Sequence, residues 1–162
     1  MSRIRILIPT QTLELLDDKD RLLQRYLVST SSRGVGEKYG SYCTPRGRHI
    51  IRAKIGHGQP ANTVFVERRP TGEVHSPELA GQAPSRDWIL TRILWLSGCE
   101  AGFNRLGEVD TMRRFIYIHG SPDTAVMGQP GSIGCVRMHN LDIIELFDLV
   151  AVGTPVEILE RA

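Results

Sequence analysis

"RFIYIHG" (114–120) and "SIGCVRMHN" (132–140) carry most of what the chain says about its fold. The first is a run of strong β formers that stops at His119-Gly120, so it reads as a strand that brings a histidine to the end of a sheet. The second sets Cys135 behind a glycine and leads into the one clear helix of the sequence. There Ile143, Ile144, Phe147 and Val150 recur at helical spacing. Asn140 is placed to cap that helix, Asp142 sits where the helix dipole favours an anion, and Gly153 supplies a stop. The loop between the two stretches, "SPDTAVMGQPG", allows a return to the same sheet edge, and strand ends beside loops are where active sites tend to lie.

Strand patterns extend outward from this pair. Ile4, Ile6 and Ile8 alternate with Arg3 and Arg5, and Leu13 and Leu15 continue the alternation. "DDKD" (17–20) is a polar turn and "LLQRYLV" (22–28) the returning strand, so the N-terminus predicts an antiparallel meander. "HIIRAKI" (49–55), "TVFVERR" (63–69), the buried "WILTRILWL" (88–96) and "PVEIL" (155–159) read as further strands. Residues 29–47, 70–86 and 98–112 read as long loops. No repeat, low-complexity tract or linker interrupts the pattern. The expectation is one mainly β domain over 1–162, sandwich-like, with a single helix after the cysteine.

Composition narrows the function. A 41% hydrophobic, 23% charged chain of 162 residues can bury one core. A net charge of +2, with basic pairs only at Arg68-Arg69 and Arg113-Arg114, argues against nucleic acid; those pairs read as solvated strand ends or turns. No apolar run has the length of a membrane span, and "MSRIRILIPT" lacks the apolar core of a signal peptide. Retention in the cytoplasm, another export route and a mature form all stay open. Three cysteines, Cys43, Cys99 and Cys135, argue against a disulfide scaffold.

His119 and Cys135 are the residue types that thiol catalysis needs. The thiolate is the attacking form, and an imidazole within reach takes the thiol proton and returns it to a leaving amine. Gly134 leaves room for substrate, and backbone N–H groups around 133–135 are placed to meet a developing oxyanion. The residues alone leave two bland alternatives open, a buried cysteine acting as a small hydrophobe and a structural histidine at a strand end. His139, at the helix start, reads as structural or at a substrate edge. His49, His57 and His75 have no cysteine or acidic partner at ligand spacing. Cys43 and Cys99 read as core or loop thiols, and Tyr39, Tyr42 and Trp95 as packing residues, with the loop around Tyr42 able to edge a cleft. Neither a zinc-type cysteine cluster nor a phosphate-cradling glycine motif is present.

"IYIHG" followed by "SIGCVRM" resembles the signature of the L,D-transpeptidase catalytic domain of the YkuD type. The resemblance extends along almost the whole chain. "TLELLDD" with "LVSTS" is similar to the family's opening hairpin and "CTPRGRHII" to its Thr-Pro-x-Gly turn. "ILWLSGCEAGFNR" is similar to its middle section and "NLDIIELFDLVAVGTPVEI" to its ending. The resemblance implies that Cys135 is the nucleophile, His119 its base, and Gly120 the residue whose backbone orients the histidine. It implies that Arg137, with Ser132 and Gly134, binds or positions the substrate; a structural ion pair is the rival reading for Arg137. Many members carry histidine where this chain has Ile133, which leaves the base role to His119.

The implied reaction is attack of Cys135 on the third residue of a peptidoglycan stem tetrapeptide, release of D-alanine, and transfer of the acyl group to an amine, giving a 3→3 cross-link. The resemblance also implies no metal, no organic cofactor, carbapenem inhibition, and action in the periplasm or cell wall. Two alternatives remain. Water replacing the amine makes an L,D-carboxypeptidase or another thiol amidase, and an idle thiol makes a non-catalytic cell-wall-binding module.

Overall fold

In the computed structural model, residues 1–161 are described. The N-terminal alternation folds as an antiparallel meander of β1 (Arg3–Leu7), β2 (Thr12–Leu16) and β3 (Leu22–Ser29). Its register is fixed on both faces. Ile4, Ile6, Leu13 and Leu15 turn into the core, while Arg5, Glu14 and Arg25 line up on the other face, with Glu14 bonded to both arginines.

The chain continues as β4 (Gly47–Ile55), β5 (Thr63–Val66), β6 (Arg69–Val74), α1 (Pro77–Gln82), β7 (Leu90–Gly98), β8 (Tyr117–Gly120), β9 (Val136–Met138), α2 (Asn140–Leu149) and β10 (Pro155–Leu159). The fold is mainly β with the expected helix after the cysteine. The sandwich-like arrangement expected takes the form of one sheet closed on itself. The ring runs β4-β10-β1-β2-β3-β9-β8-β7 and is shut by the antiparallel β4–β7 pair. Closure removes the exposed edges that an open sheet would carry.

Some expected boundaries shift for physical reasons. "TVFVERR" is not one strand, because Glu67 and Arg68 take left-handed φ of 50° and 65° and turn the chain into the β5–β6 hairpin. The loop expected over 70–86 therefore holds β6, and also α1, which starts at Ser76 with Pro77 in its first turn. "RFIYIHG" becomes a strand only from Tyr117; Arg114 ends a 3₁₀ turn and Phe115 is left-handed.

In α2 the buried face is Ile143, Leu146 and Phe147, with Ile144 only half-buried. This face packs into the main core with Leu94 and Leu96 of β7, Ile118 of β8, and Val136 and Met138 of β9. The helix ends at Leu149, and Gly153, at φ 91°, lies in the turn that follows.

Candidate active site

β8 and β9 are parallel neighbours, with Ile118 opposite Val136 and His119 opposite Arg137. Alternation does the rest. Ile118, Val136 and Met138 face the main core, which leaves Tyr117, His119, Cys135 and Arg137 on the outer face of the ring. Cys135, one residue before β9, lies beside Tyr117 and about two residues, ~6.6 Å of strand, short of His119. It is 9% exposed and packs with Phe65, Ile93 and Tyr117. The Tyr117 N–H donates to its Sγ at 3.3 Å, and the thiol donates to the Phe115 carbonyl at 3.4 Å.

The turn that presents the cysteine is built from within. The Ser132 hydroxyl donates to the Cys135 carbonyl at 2.5 Å and receives the Gly134 N–H at 3.2 Å. Gly134 has φ 132°, a conformation that side chains rarely adopt, and an added Cβ would lie 3.3 Å from Ile116. Its carbonyl accepts from Thr44 Oγ1 at 2.9 Å, so the Thr-Pro turn clamps the cysteine turn. Ser132 is 1% exposed, and its hydroxyl is committed to shaping this turn. The Gly134 N–H, expected among the oxyanion donors, is likewise engaged by Ser132.

His119 is also 1% exposed. Its Nδ1 donates to the Gly120 carbonyl at 2.5 Å, which puts the proton on Nδ1 and leaves the lone pair on Nε2. Gly120 has to be glycine, because an added Cβ would meet the Leu90 carbonyl at 2.6 Å and Asn140 Oδ1 closer still. That packing also explains Asn140. His139, not Asn140, is the cap residue and makes no side-chain cap bond; the Asn140 amide accepts from Thr91 at 2.6 Å and donates to Asn62 at 2.9 Å.

Burial controls the charge of both groups. Desolvation pushes the Cys135 thiol up to about 12, with the Tyr117 N–H, Arg137 and Arg114 pulling the other way and the Asp87 carboxylate adding to the rise. Desolvation lowers His119, and Arg137 adds to that, while the bond to Gly120 and the Asp87 carboxylate oppose it. At neutral pH the resting pair is a neutral thiol and a neutral imidazole.

Two clefts flank Phe115. One, of ≈ 260 Å³, is lined by Tyr39, Tyr42, Arg113, Arg114, Ile116 and Ile133 among others. Tyr39 and Tyr42 are exposed, so they edge this cleft and do not serve as packing. The other, of ≈ 370 Å³, lies under the β5–β6 hairpin and is lined by Phe65, Arg68, Asp87, Ile93 and Tyr117 among others.

Sequence reading passed over three charged residues here. Arg68 stacks over Trp95 and Phe115 and donates to the Tyr117 hydroxyl at 3.0 Å, so it is no solvated turn residue. Arg114 holds the 36–43 loop through the carbonyls of Gly36 and Cys43. Asp87 pairs with Arg137 at 3.0 Å. The double arginines were the available signal for the first two; the pairing of Asp87 with Arg137 spans the fold and has no local signature.

The remaining histidines stand apart, whereas Cys43 lies on the loop packed against the cysteine turn, its carbonyl bonded to Arg114 and 3.4 Å from where a Cβ at Gly134 would be. His49 is buried, bonded to the Gly47 carbonyl and Thr111, and burial lowers it to about 4. His57 stacks on Phe147 and His75 packs edge-on to Trp88. All three cysteines are free thiols, and no group of three or more metal-ligating side chains occurs among the described residues. No described helix is long and apolar enough to cross a membrane.

The YkuD protein of Bacillus subtilis is 51% identical to this chain over 41 residues, 25% of each chain. The L,D-transpeptidase of Mycobacterium smegmatis superposes with a TM-score of 0.57 at 18% identity, over 98% of this chain and 58% of its own. LdtMt1 in complex with imipenem gives the same TM-score at 16% identity, with 98% and 58% covered. Bd1075 of Bdellovibrio bacteriovorus reaches 0.61 at 14% identity, over 99% of this chain and 48% of its own. At these identities the superpositions show a shared fold. The sequence itself matches the model of one family, described as the L,D-transpeptidase catalytic domain, over residues 1–158, and the chain belongs to that family, YkuD.

Proposed function

We propose that the protein is a peptidoglycan L,D-transpeptidase with Cys135 as nucleophile and His119 as general base. The observation that carries this reading is the Nδ1 bond of His119 to the Gly120 carbonyl, which leaves an unprotonated Nε2 on the sheet face that also bears Cys135. Because burial keeps both groups neutral at rest, the thiol proton passes to Nε2 as Sγ attacks, and no thiolate accumulates beforehand.

Attack on the carbonyl of the third stem residue, diaminopimelate at its L-centre, gives a tetrahedral oxyanion beside the backbone of 133–135. The imidazolium returns its proton to the leaving D-alanine amine, and a thioester remains on Cys135. An acceptor amine then gives its proton to His119, attacks the thioester and restores the thiol, leaving a new amide. With diaminopimelate as acceptor the product is a 3→3 cross-link; with water it is a tripeptide. Arg137 positions the donor peptide from beside His119. The substrate is wall peptidoglycan, so the proposed place of action is the periplasm or cell wall. A carbapenem acylates the same thiol, a reading supported by the imipenem complex of LdtMt1.

Intact-protein mass spectrometry tests this. The protein is incubated with a diaminopimelate tetrapeptide muropeptide and, separately, with a carbapenem. An acyl adduct that disappears in Cys135→Ala is expected, and the released products separate transfer from hydrolysis. Well-folded protein that gains no adduct from either compound refutes the proposal and leaves a wall-binding module with an idle thiol.

A further inference from the structure

Arg137 emerges beside His119 on the outer face, and its guanidinium is held at both ends. One terminal nitrogen donates to the Gly131 carbonyl at 3.0 Å and the other to Asp87 at 3.0 Å. The second contact is to a single carboxylate oxygen, and this pair is partly open to solvent, with side chains 22% and 33% exposed. Such pairs hold weakly, whereas a guanidinium binds a well-placed carboxylate through two parallel bonds. Asp87 also lines the ≈ 370 Å³ cleft that runs under the hairpin to Tyr117, the neighbour of Cys135.

The loop bearing Asp87 is anchored on both sides of it. Trp88 is buried, with Arg86 stacked on its ring, and the Ile89 carbonyl receives the Phe65 N–H at 3.0 Å. The side chain of Asp87 has no hydrogen bond besides the one to Arg137 among the described residues. It is free to swing away while the loop stays in place.

We infer that Asp87 occupies, in the free protein, the position at which Arg137 receives the carboxylate of a peptide substrate, and that the substrate displaces it. The inference rests on the proposed role of Arg137 toward the donor peptide. It adds a specificity device: the chain carries its own carboxylate, and only a ligand bringing another at the same distance from the attacked carbonyl takes its place.

The exchange conserves charge. One carboxylate faces Arg137 before and after binding, so the groups around the reacting pair (Arg137 and the engaged carboxylate beside His119, Arg114 toward Cys135, Glu67 and Arg68 on the hairpin) keep the same balance. A peptide ending in an amide leaves Asp87 on Arg137 and gains nothing from it.

Calorimetric binding to Cys135→Ala, which cannot turn over, reads this without reliance on the chemistry. The probes are a diaminopimelate-containing stem tetrapeptide and its C-terminal amide. With Asp87→Asn added, affinity for the free acid is expected to rise about threefold, the scale of one exposed ion pair, with the amide unchanged. Asp87→Glu is expected to restore the weaker binding of the acid. Equal effects on acid and amide, no effect on either, or no measurable binding of the acid overturn the inference. Acylation of the native protein is scored separately, so an absent adduct with the acid–amide difference intact strikes the transpeptidase reading and leaves the exchange standing.

Discussion

The two faces of the β8–β9 pair use burial for opposite ends. On the inner face Ile118, Val136 and Met138 are fully buried under α2, against aliphatic neighbours from β1, β2 and β7. None of these three side chains can titrate, and their burial contributes only stability. On the outer face, three atoms of chain away, His119 and Cys135 are nearly as buried, yet each carries a polar atom that burial keeps uncharged. Their cover is thin. β5 reaches β7 through the single register pair Val64–Leu90, and β6 is largely exposed. One face is a core and the other a desolvated pair of titratable groups, the proposed reaction site, under a hairpin. Equal burial therefore says little about role; what the buried group can do with a proton says more.

The two faces part most sharply at His119. Asn in its place keeps a donor for the Gly120 carbonyl and removes the nitrogen proposed to take the thiol proton. His119→Asn is expected to slow acylation by a carbapenem about 10²–10⁴-fold, ~3–5 kcal/mol of barrier, with the thermal midpoint little changed. Stopped-flow fluorescence or timed mass spectrometry measures it. A rate within about tenfold of wild type assigns the base elsewhere.

The inner face predicts the reverse split. Ile118→Ala, in a core that cannot collapse around it, is expected to cost about 3 kcal/mol in urea unfolding. Acylation of the protein that remains folded should stay within about threefold of wild type, since the mutated side chain points away from the thiol. A large loss of rate at intact stability means that the two faces are coupled through the strand backbone.

Much of this arrangement was legible in the residues, and the limits follow from what is local. His-Gly at the end of a β run and Gly-Cys before a helix are short-range patterns, and both residues lie on one sheet face as their strand positions require. The meander was legible because Ile4, Ile6, Leu13 and Leu15 alternate cleanly. Glu67 and Arg68 carry none of the usual glycine or asparagine signal for a left-handed turn, so the hairpin that covers the site stayed hidden. Closure of the sheet depends on β4 meeting β7 across more than thirty residues, and Asp87 meets Arg137 across |i−j| = 50; neither leaves a trace in any window of sequence. Asn140 looked like a helix cap because its neighbours look like a helix start, and only the tertiary demand of Thr91 and Asn62 redirects it.

His49 sharpens the contrast from a third position. It is as buried as His119, but both ring nitrogens are bonded, to the Gly47 carbonyl and to Thr111. Desolvation lowers it from 6.5 to about 4, against partial opposition from the Gly47 bond, Glu100 and Glu37. The unfolded chain binds the proton first as pH falls. The stability due to a neutral His49 is therefore complete above about pH 6.5 and is lost as pH drops toward 4, by roughly 3 kcal/mol in all. Unfolding free energies measured between pH 7 and 4.5 should slope less steeply in His49→Asn, by up to about one proton's worth, 1.4 kcal/mol per pH unit. Equal slopes mean that His49 takes up its proton over the same pH range in the folded and the unfolded chain.

The smallest expected effect bears on how the outer face stays dry. Phe65 plugs the hairpin onto Ile93, Tyr117 and Cys135, and Arg68 latches its tip by stacking on Trp95 and Phe115 and bonding the Tyr117 hydroxyl. Arg68→Ala removes the latch and leaves the plug, so it is expected to cost only about 1 kcal/mol of stability. It should speed alkylation of Cys135 by iodoacetamide about threefold, followed by peptide mapping so that Cys43 and Cys99 are counted apart. Phe65→Ala should do both more strongly. If Arg68→Ala leaves the alkylation rate unchanged while Phe65→Ala raises it, the hairpin is held by its apolar plug alone, and Arg68 serves the cleft that it lines instead of the cover.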